Sequence, residues 1–373
     1  MNLSKFIESL FKPFEFGNLK LKNRIVMAPM TRSFSPNGIP RNDVADYYCR
    51  RAENKVGLII TEGVLIEHPA AGAEHDVPHF YGEEALNEWA RIVQKVHESG
   101  GKIAPQIWHT GMAREKNHFP DVDVNSVGPS GINFKGEQVS EPLSVQEIHE
   151  LVKRYAQAAS NAKKVGFDAV EIHGAHGYLI DQFFADSFNK RTDEYGGDLV
   201  QRTRFAVEVI KAVREAVGPD FPIIFRFSQW KLNDYNFKLA KNPEELKSFL
   251  TPLVEAGVDI FHASTRRFWE PEFEGSDLNL AGWTKKLTGK PVISVGSVGT
   301  NAELTKGLQQ GQTKQNDPTA HLDELTYKLD SGEFDLIAIG RALISNPDWV
   351  TKIQEGRIEE LSTFTKEDLK TLV

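Results

Sequence analysis

Residues 171–183, with the sequence EIHGAHGYLIDQF, hold two histidines and a tyrosine close together. His173 and His176 are three residues apart, and Tyr178 follows two residues later. If the preceding apolar run ends as a strand, both imidazoles can converge on one point and donate hydrogen bonds to an anionic or polarised oxygen. Tyr178 is then a neutral proton donor at pH 7, because the reference pKa of tyrosine is about 10.

Two alternatives stay open for these side chains. The histidines could bind a metal, although the sequence offers only the distant His109 or the nearby Glu171 as further ligands. They could also be structural residues, and a buried tyrosine usually packs with its hydroxyl group satisfied.

Arg226 lies inside the apolar run PIIFRFS, where an unpaired charge is costly. We interpret it as a cation that faces an electron-rich ligand, and the alternative is an ion pair with Glu62 or Glu171. Gln106 offers a donor and an acceptor for the edge of an amide-containing ring, or it belongs to a polar layer. Glu62, in the strand-end sequence TEG, is either a base or a hydrogen-bond acceptor for neighbouring loops.

Two further strand ends carry glycines, in the pairs Gly296-Ser297 and Gly340-Arg341. Small residues allow backbone N–H groups to approach phosphate oxygens, and arginine adds a bidentate cation. The pattern therefore supports two interpretations equally. The residues hold a phosphate, or the glycines only form tight turns and Arg341 pairs with a carboxylate on the surface.

Eight short apolar runs position these residues, and helical patterns follow them. The runs are 24–29, 57–63, 102–108, 169–174, 222–228, 260–265, 291–296 and 336–341. They are rich in Ile and Val without strict alternation, as in parallel strands that are buried on both faces. Strand alternating with helix eight times predicts a single (β/α)8 barrel over residues 1–373. The alternative, a doubly wound open sheet, is weakened because no GxGxxG motif follows any run.

Helix signals lie between the runs. Ser144 and Glu147 form a capping-box pattern at the start of 144–165. The pairs Asn242-Pro243 and Asn346-Pro347 each predict a helix start with asparagine as the N-cap.

Three segments decorate the predicted barrel. Residues 14–22 predict a hairpin that closes the barrel bottom. Loops 109–143 and 266–283 follow carboxyl-terminal strand ends, where barrel active sites lie, and we expect them to be lids or walls of the substrate site. Residues 300–333 are longer and more polar than a minimal connection, and the sequence gives them no role.

Composition narrows the class of protein. The 44 basic and 52 acidic residues give a net charge of −8, which argues against nonspecific binding to nucleic acid or anionic membranes. The single cysteine, Cys49, excludes an internal disulfide, a cysteine-ligated metal site and an iron–sulfur cluster. With no signal-peptide pattern or transmembrane run, we expect a cytoplasmic protein, and a homo-oligomer stays open.

Taken together, several motifs closely resemble the Old Yellow Enzyme family of flavin-dependent ene-reductases, over residues from about 11 to about 355. The motifs are APMTR (28–32), TEG (61–63), PQIWHTG (105–111), EIHGAHGYLIDQF (171–183), NKRTDEYGG (189–197), FRFS (225–228) and IGRALISNPD (339–348). The resemblance implies a barrel that holds FMN noncovalently and uses NAD(P)H as the hydride donor.

The resemblance also implies roles for individual residues. Pro29, Met30 and Gly63 would line the flavin, Thr31 would tune its potential, Gln106 would meet its pyrimidine edge, Arg226 would face N1 and O2, and Gly296, Ser297, Gly340 and Arg341 would hold the phosphate. His173 and His176 would bind the carbonyl or nitro oxygen of the substrate. From their places at or after strand ends, and not from the resemblance, Trp108 and Trp269 are expected as further substrate contacts. Hydride from flavin N5 would reach the β-carbon of the alkene while Tyr178 protonates the α-carbon.

Departures from the family pattern limit this transfer. Some relatives have Cys in place of Thr31, and others have Asn in place of His176. The expected activity is reduction of activated C=C bonds, and the alternatives are a nitro or nitrate-ester reductase, a noncatalytic flavin-binding protein, and a barrel aldolase or isomerase. No lysine lies within the last five predicted strands to form a Schiff base, which counts against the aldolase.

Overall fold

The structure is a computed structural model, and it describes residues 7–114, 120–299 and 317–373. Residues 115–119 of the predicted lid loop and residues 300–316 of the polar segment lie outside the described residues.

Eight parallel strands form a closed barrel in which they are neighbours in chain order and the last pairs with the first. These strands are β3 (Ile25–Met27), β4 (Leu58–Leu65), β5 (Ile103–Trp108), β6 (Val170–His173), β7 (Ile223–Ser228), β8 (Ile260–Ser264), β9 (Val292–Val295) and β10 (Leu336–Ile339). Each overlaps one of the eight predicted apolar runs. The predicted (β/α)8 barrel is confirmed, and the doubly wound alternative is wrong.

Helices surround the barrel and connect its strands. They are α1 (Asn42–Glu53), α2 (Glu83–Glu98), α3 (Val145–Val165), α4 (Leu179–Phe184), α5 (Arg204–Val217), α6 (Pro243–Ala256), α7 (Leu280–Thr288), α8 (Leu322–Asp330), α9 (Arg341–Ser345) and α10 (Trp349–Glu355). None of the helices in the three described ranges is long and apolar enough to cross a membrane.

Local sequence signals explain two of the three predicted helix starts. The Ser144 hydroxyl accepts from Glu147 N, and the Glu147 carboxylate accepts from Ser144 N, so the capping box at α3 is confirmed. The Asn242 side chain likewise accepts from Glu245 N at the start of α6.

The prediction that Asn346 is an N-cap is wrong. The helix begins at Trp349, and the Asn346 amide instead donates to Ala342 O and Ser362 O, at 3.2 and 2.8 Å. Asn346 therefore closes α9 and holds the chain that follows α10, a tertiary contact that overrides the local pattern.

A hairpin closes the amino-terminal end of the barrel. Its strands β1 (Phe14–Phe16) and β2 (Leu19–Leu21) pair antiparallel. Phe14, Leu19 and Leu21 pack with the first interior residues of the barrel strands, such as Leu58. The predicted hairpin at the bottom of the barrel is confirmed, and the carboxyl-terminal end of the barrel stays open.

Candidate active site

A cavity of about 300 Å³ opens at the carboxyl-terminal end of the barrel. Its walls come from β7, β8, β9 and β10 and from the segments that follow these strands, β3 and β6. Eight of the predicted site residues line this cavity: Pro29, Met30, His176, Arg226, Gly296, Ser297, Gly340 and Arg341. Residues that are up to 312 positions apart in the chain thus meet at one site, which is where barrel enzymes place their chemistry.

His173 is the last residue of β6 and is buried. Burial, together with the charge of Arg226, holds the pKa of its imidazole well below the usual value, so the ring is neutral. Ala175 N donates to its Nδ1 at 3.3 Å. A neutral ring that accepts at Nδ1 carries its proton on Nε2, which makes His173 a hydrogen-bond donor through Nε2.

His176 lies in a left-handed backbone conformation, with φ of 66°. Two hydrogen bonds hold this turn, from His176 N to Ser228 Oγ at 2.9 Å and from Leu232 N to His176 O at 3.1 Å.

The His176 ring stacks on the Trp230 ring with the two ring centroids 4.5 Å apart, and its Nε2 lies 2.8 Å from Ser264 Oγ. Its centroid is 5.2 Å from that of His173, so the two imidazoles are neighbours, as predicted.

Tyr178 completes this cluster. Its ring centroid is 5.0 Å from that of His173 and 4.9 Å from that of Trp108. Burial, with the negative charge of Glu74, raises the pKa of Tyr178 to about 12, so the hydroxyl group keeps its proton at neutral pH. A Cβ at Gly63 would lie 2.5 Å from Cε3 of Trp108, so Gly63 provides the space that Trp108 fills.

Arg226 is 7% exposed, and its Nε–H has no hydrogen-bond partner within the part of the chain that the structure describes. The alternative ion pair with Glu171 is not formed, because the Glu171 carboxylate is 2.7 Å from Gln106 Nε2 and 2.6 Å from His262 Nδ1. An unpaired N–H on a buried cation beside a cavity fits an electron-rich ligand.

Gln106 and Glu62 take structural positions beside the site. Gln106 belongs to a buried polar layer with Glu171, one of its two interpretations, and it does not line the cavity. Glu62 accepts from the backbone N–H groups of Arg32 and Ser33 at 2.9 and 3.2 Å. Its interpretation as an acceptor for a neighbouring loop is therefore confirmed.

The other end of the cavity is suited to an anion. A Cβ at Gly296 would lie 2.6 Å from Thr265 Oγ1, so only glycine fits there without a shift. Arg341 and Arg266 both line the cavity, and burial together with the charge of Arg266 lowers the pKa of Arg341. Two guanidinium groups in the lining, with closely packed backbone at Gly296, provide the donors that a phosphate requires.

Seven predicted site residues do not line the cavity, and for two of them, Thr31 and Trp269, the placement does not support the expected role. Thr31 is exposed and is absent from the cavity lining. Trp269 stacks on His321 with ring centroids 3.5 Å apart and does not line the cavity either. Its expected substrate contact is therefore not supported by this placement.

Sequence reasoning missed Trp230, Tyr235, Ser264 and Arg266, all of which line the cavity. Ser264 ends β8, and the other three follow β7 or β8 within a few residues. Their position after carboxyl-terminal strand ends was the available signal.

Comparison with known proteins places this site in a family. The model of the NADH:flavin oxidoreductase / NADH oxidase family matches residues 9–315. An NADH oxidase of Thermoanaerobacter brockii is 34% identical over 95% of this chain, and the chain spans 52% of that longer protein. The 12-oxophytodienoate reductase 7 of Oryza sativa subsp. japonica is 32% identical, with 92% of this chain and 87% of the relative covered. A morphinone reductase solved in complex with tetrahydroNAD superposes with a TM-score of 0.80 at 29% identity, covering 96% of this chain and 93% of the other.

The residues of the cavity fit the FMN that this family binds. The unpaired Nε–H of Arg226 suits the electron-rich N1 and O2 edge of an isoalloxazine ring, and the Arg341 end suits its phosphate. The family match, the barrel and this donor set agree, and the chain belongs to the NADH:flavin oxidoreductase / NADH oxidase family, the Old Yellow Enzyme family of FMN-dependent oxidoreductases.

Proposed function

We propose that this protein uses NAD(P)H to reduce activated C=C bonds of α,β-unsaturated carbonyl or nitro compounds. The observation that carries the proposal is the cluster of two neutral histidines and a protonated tyrosine beside the cavity. Relatives named 12-oxophytodienoate reductase and morphinone reductase support the same class of substrate.

The proposed cofactor site uses one set of residues for each part of FMN, within a single domain formed by residues 1–373. Pro29 and Met30 border the ring, Arg226 serves its polar edge, and Gly296, Ser297, Gly340 and Arg341 hold the phosphate, whereas Thr31, Gly63 and Gln106 lie outside the cavity lining. When bound, FMN supplies the hydride chemistry, whereas the protein binds, orients and polarises the reactants.

His173 and His176 act on the oxygen of the substrate. Both rings are neutral because burial and nearby cations lower their pKa values, so each can donate one hydrogen bond to a carbonyl or nitro oxygen. These donors stabilise the negative charge that develops on that oxygen when the β-carbon receives a hydride. Donors that are fixed in advance cost no reorganisation during the reaction.

Tyr178 supplies the proton. Its O–H bond breaks, the proton forms a C–H bond at the α-carbon, and the tyrosinate is reprotonated from solvent. Because the pKa of Tyr178 is raised to about 12, the side chain is fully protonated before each turnover. Trp108, in edge-to-face contact with Tyr178, is proposed as a wall of the substrate site.

The loop at 109–143 is proposed to cover the substrate. Phe134 lies near the His176 turn, since a Cβ at Gly177 would be 3.3 Å from its ring. Asn233, in the segment after β7, donates to Phe134 O at 3.3 Å. These contacts connect the loop to the turn that positions the histidine, as a lid over this site requires.

Anaerobic stopped-flow measurements test the proposal in two steps. NADH and NADPH are each expected to bleach the yellow colour of the FMN-loaded protein, and cyclohexenone is expected to restore it. Failure of both nicotinamides to bleach the colour contradicts the reductive step. Faster reoxidation by a nitrate ester than by cyclohexenone supports nitrate-ester reduction as the main activity instead.

A further inference from the structure

Ser264 ends β8, and its side chain contacts the Nε2 edge of the His176 ring. The residue is 2% exposed, and its Oγ is 2.8 Å from His176 Nε2. A longer contact of 3.5 Å joins the same oxygen to Nη2 of Arg226. One buried hydroxyl group thus connects the substrate-binding histidine with the cation that faces the flavin edge.

The direction of these hydrogen bonds follows from what each group can do. A guanidinium group only donates, so Ser264 Oγ accepts from Arg226. The hydroxyl proton, being buried, needs an acceptor. Among the described residues, the one acceptor in contact with this hydroxyl is Nε2 of His176. Ser264 therefore donates to Nε2.

The tautomer of His176 follows from this contact. A neutral imidazole carries one N–H, and a ring that accepts at Nε2 carries it at Nδ1. Stacking on Trp230, with 27° between the ring planes, holds the imidazole in one orientation. Hydrogen bonds from His176 N to Ser228 Oγ and from Leu232 N to His176 O hold the left-handed turn that carries the ring.

We propose that Ser264 is a positioning residue that fixes His176 as the Nδ1–H tautomer. The two histidines then present opposite tautomers, His173 with its proton on Nε2 and His176 with its proton on Nδ1. A single substrate oxygen receives one N–H from each ring. The role in catalysis rests on the proposed function, whereas the tautomer itself is a property of the protein without substrate.

The first test is nuclear magnetic resonance on the FMN-loaded protein with ¹⁵N-labelled histidine and a deuterated background. The His176 signals are identified by their loss in His176→Asn. We expect a protonated Nδ1 and an unprotonated Nε2 in the wild type and in Ser264→Thr, which keeps the hydroxyl group. Ser264→Ala should lose this preference. A protonated Nε2 in the wild-type protein overturns the inference.

Ser294→Ala is the matched control. Ser294 is also a buried serine on a barrel strand, and its Oγ has no hydrogen-bond partner within the described ranges. Its removal deletes the same atom from the neighbouring strand and should leave the His176 signals unchanged. A change as large as that of Ser264→Ala would mean that packing, and not the hydroxyl group, sets the tautomer.

The second test measures binding of a phenolate as a probe of the oxygen site. Ser264→Ala should weaken its binding about tenfold, with recovery in Ser264→Thr and little change in Ser294→Ala. Equal affinities in all variants contradict the role of Ser264 in oxygen binding. The resonance test needs no turnover, so a protein without the proposed reductase activity could still show the expected tautomer. Conversely, an active reductase could show the other tautomer, so the two proposals fail independently.

Discussion

Nζ of Lys231 and Oδ1 of Asp181 form an ion pair 2.6 Å apart, with side-chain exposures of 1% and 0%. The other carboxylate oxygen of Asp181 accepts from Gly177 N at 2.6 Å. Leu232, next to Lys231, donates its N–H to His176 O. The pair thus ties the segment after β7 to the turn that carries His176, and it does so where neither charge is solvated.

Asp181→Asn should lower the free energy of unfolding by about 3–5 kcal/mol, because it leaves the Lys231 charge buried and uncompensated. Urea denaturation measures the change. The double variant Asp181→Leu with Lys231→Met should recover most of the loss, since it removes both charges together. The exposed pair of Lys153 and Glu150 supplies the comparison, and Glu150→Gln should change stability far less. If Asp181→Asn and Glu150→Gln lowered the free energy of unfolding by similar amounts, burial of the Lys231–Asp181 pair would not increase its contribution to stability.

Tyr178→Phe separates proton transfer from the other steps. The phenylalanine ring keeps the packing against Trp108, so only the proton donor is lost. Reoxidation by an enone should slow about 10²–10⁴-fold, while bleaching by NAD(P)H keeps its rate. Stopped-flow absorbance follows both steps in one preparation. An unchanged enone rate would identify solvent as the proton source.

The raised pKa of Glu62 should make the stability of the protein depend on pH. Burial raises the pKa of its carboxyl group from 4.5 to about 7, despite the hydrogen bonds from the Arg32 and Ser33 N–H groups. The folded protein therefore holds this proton more tightly than the unfolded chain does. The stabilisation from Glu62 is complete below about pH 4.5 and is lost as the pH rises to about 7.

Glu62→Gln isolates this effect, because the amide oxygen can accept from the same two N–H groups without ionising. The difference in free energy of unfolding between variant and wild type should grow in favour of the variant by up to about 3 kcal/mol between pH 5 and pH 8. Denaturation curves at one-unit pH steps measure it. A difference that is constant with pH would show that Glu62 titrates at an ordinary pKa.

Much of the fold could be predicted because its determinants are local. Strands buried on both faces leave continuous apolar runs, and Ser144 with Glu147 specifies a helix start within four residues. The cluster of His173, His176 and Tyr178 was equally local. The motif resemblance supplied the cofactor, which periodicity alone does not reveal.

Contacts between distant segments escaped sequence reasoning. Ser264 and His176 are 88 residues apart, and no spacing rule links them. Trp269 was expected to contact the substrate because it follows a strand end, yet it stacks on His321, which is 52 residues away in the chain. Asn346 resembles an N-cap in the local sequence, but its side-chain amide donates to Ser362 O, a partner that the local sequence does not show.

Arg341 should act on the phosphate of FMN and not on its ring. Arg341→Gln is expected to weaken FMN binding about 10–100-fold, the effect of losing hydrogen bonds to a charged group. Riboflavin lacks the phosphate, so its affinity should stay within about twofold. Fluorescence titration of the apoprotein with each flavin measures both constants.

Two further arginines provide controls for the comparison of FMN with riboflavin. Arg266 lines the same cavity, and Arg266→Gln should also weaken FMN more than riboflavin, because its charge lies close enough to lower the pKa of Arg341. Arg267, which pairs with Glu270 at 2.7 Å, is the neighbouring control, and Arg267→Gln should affect neither flavin. If Arg341→Gln weakens both flavins equally, its role is to shape the cavity wall, and the phosphate must be held by the backbone at Gly296 and Gly340.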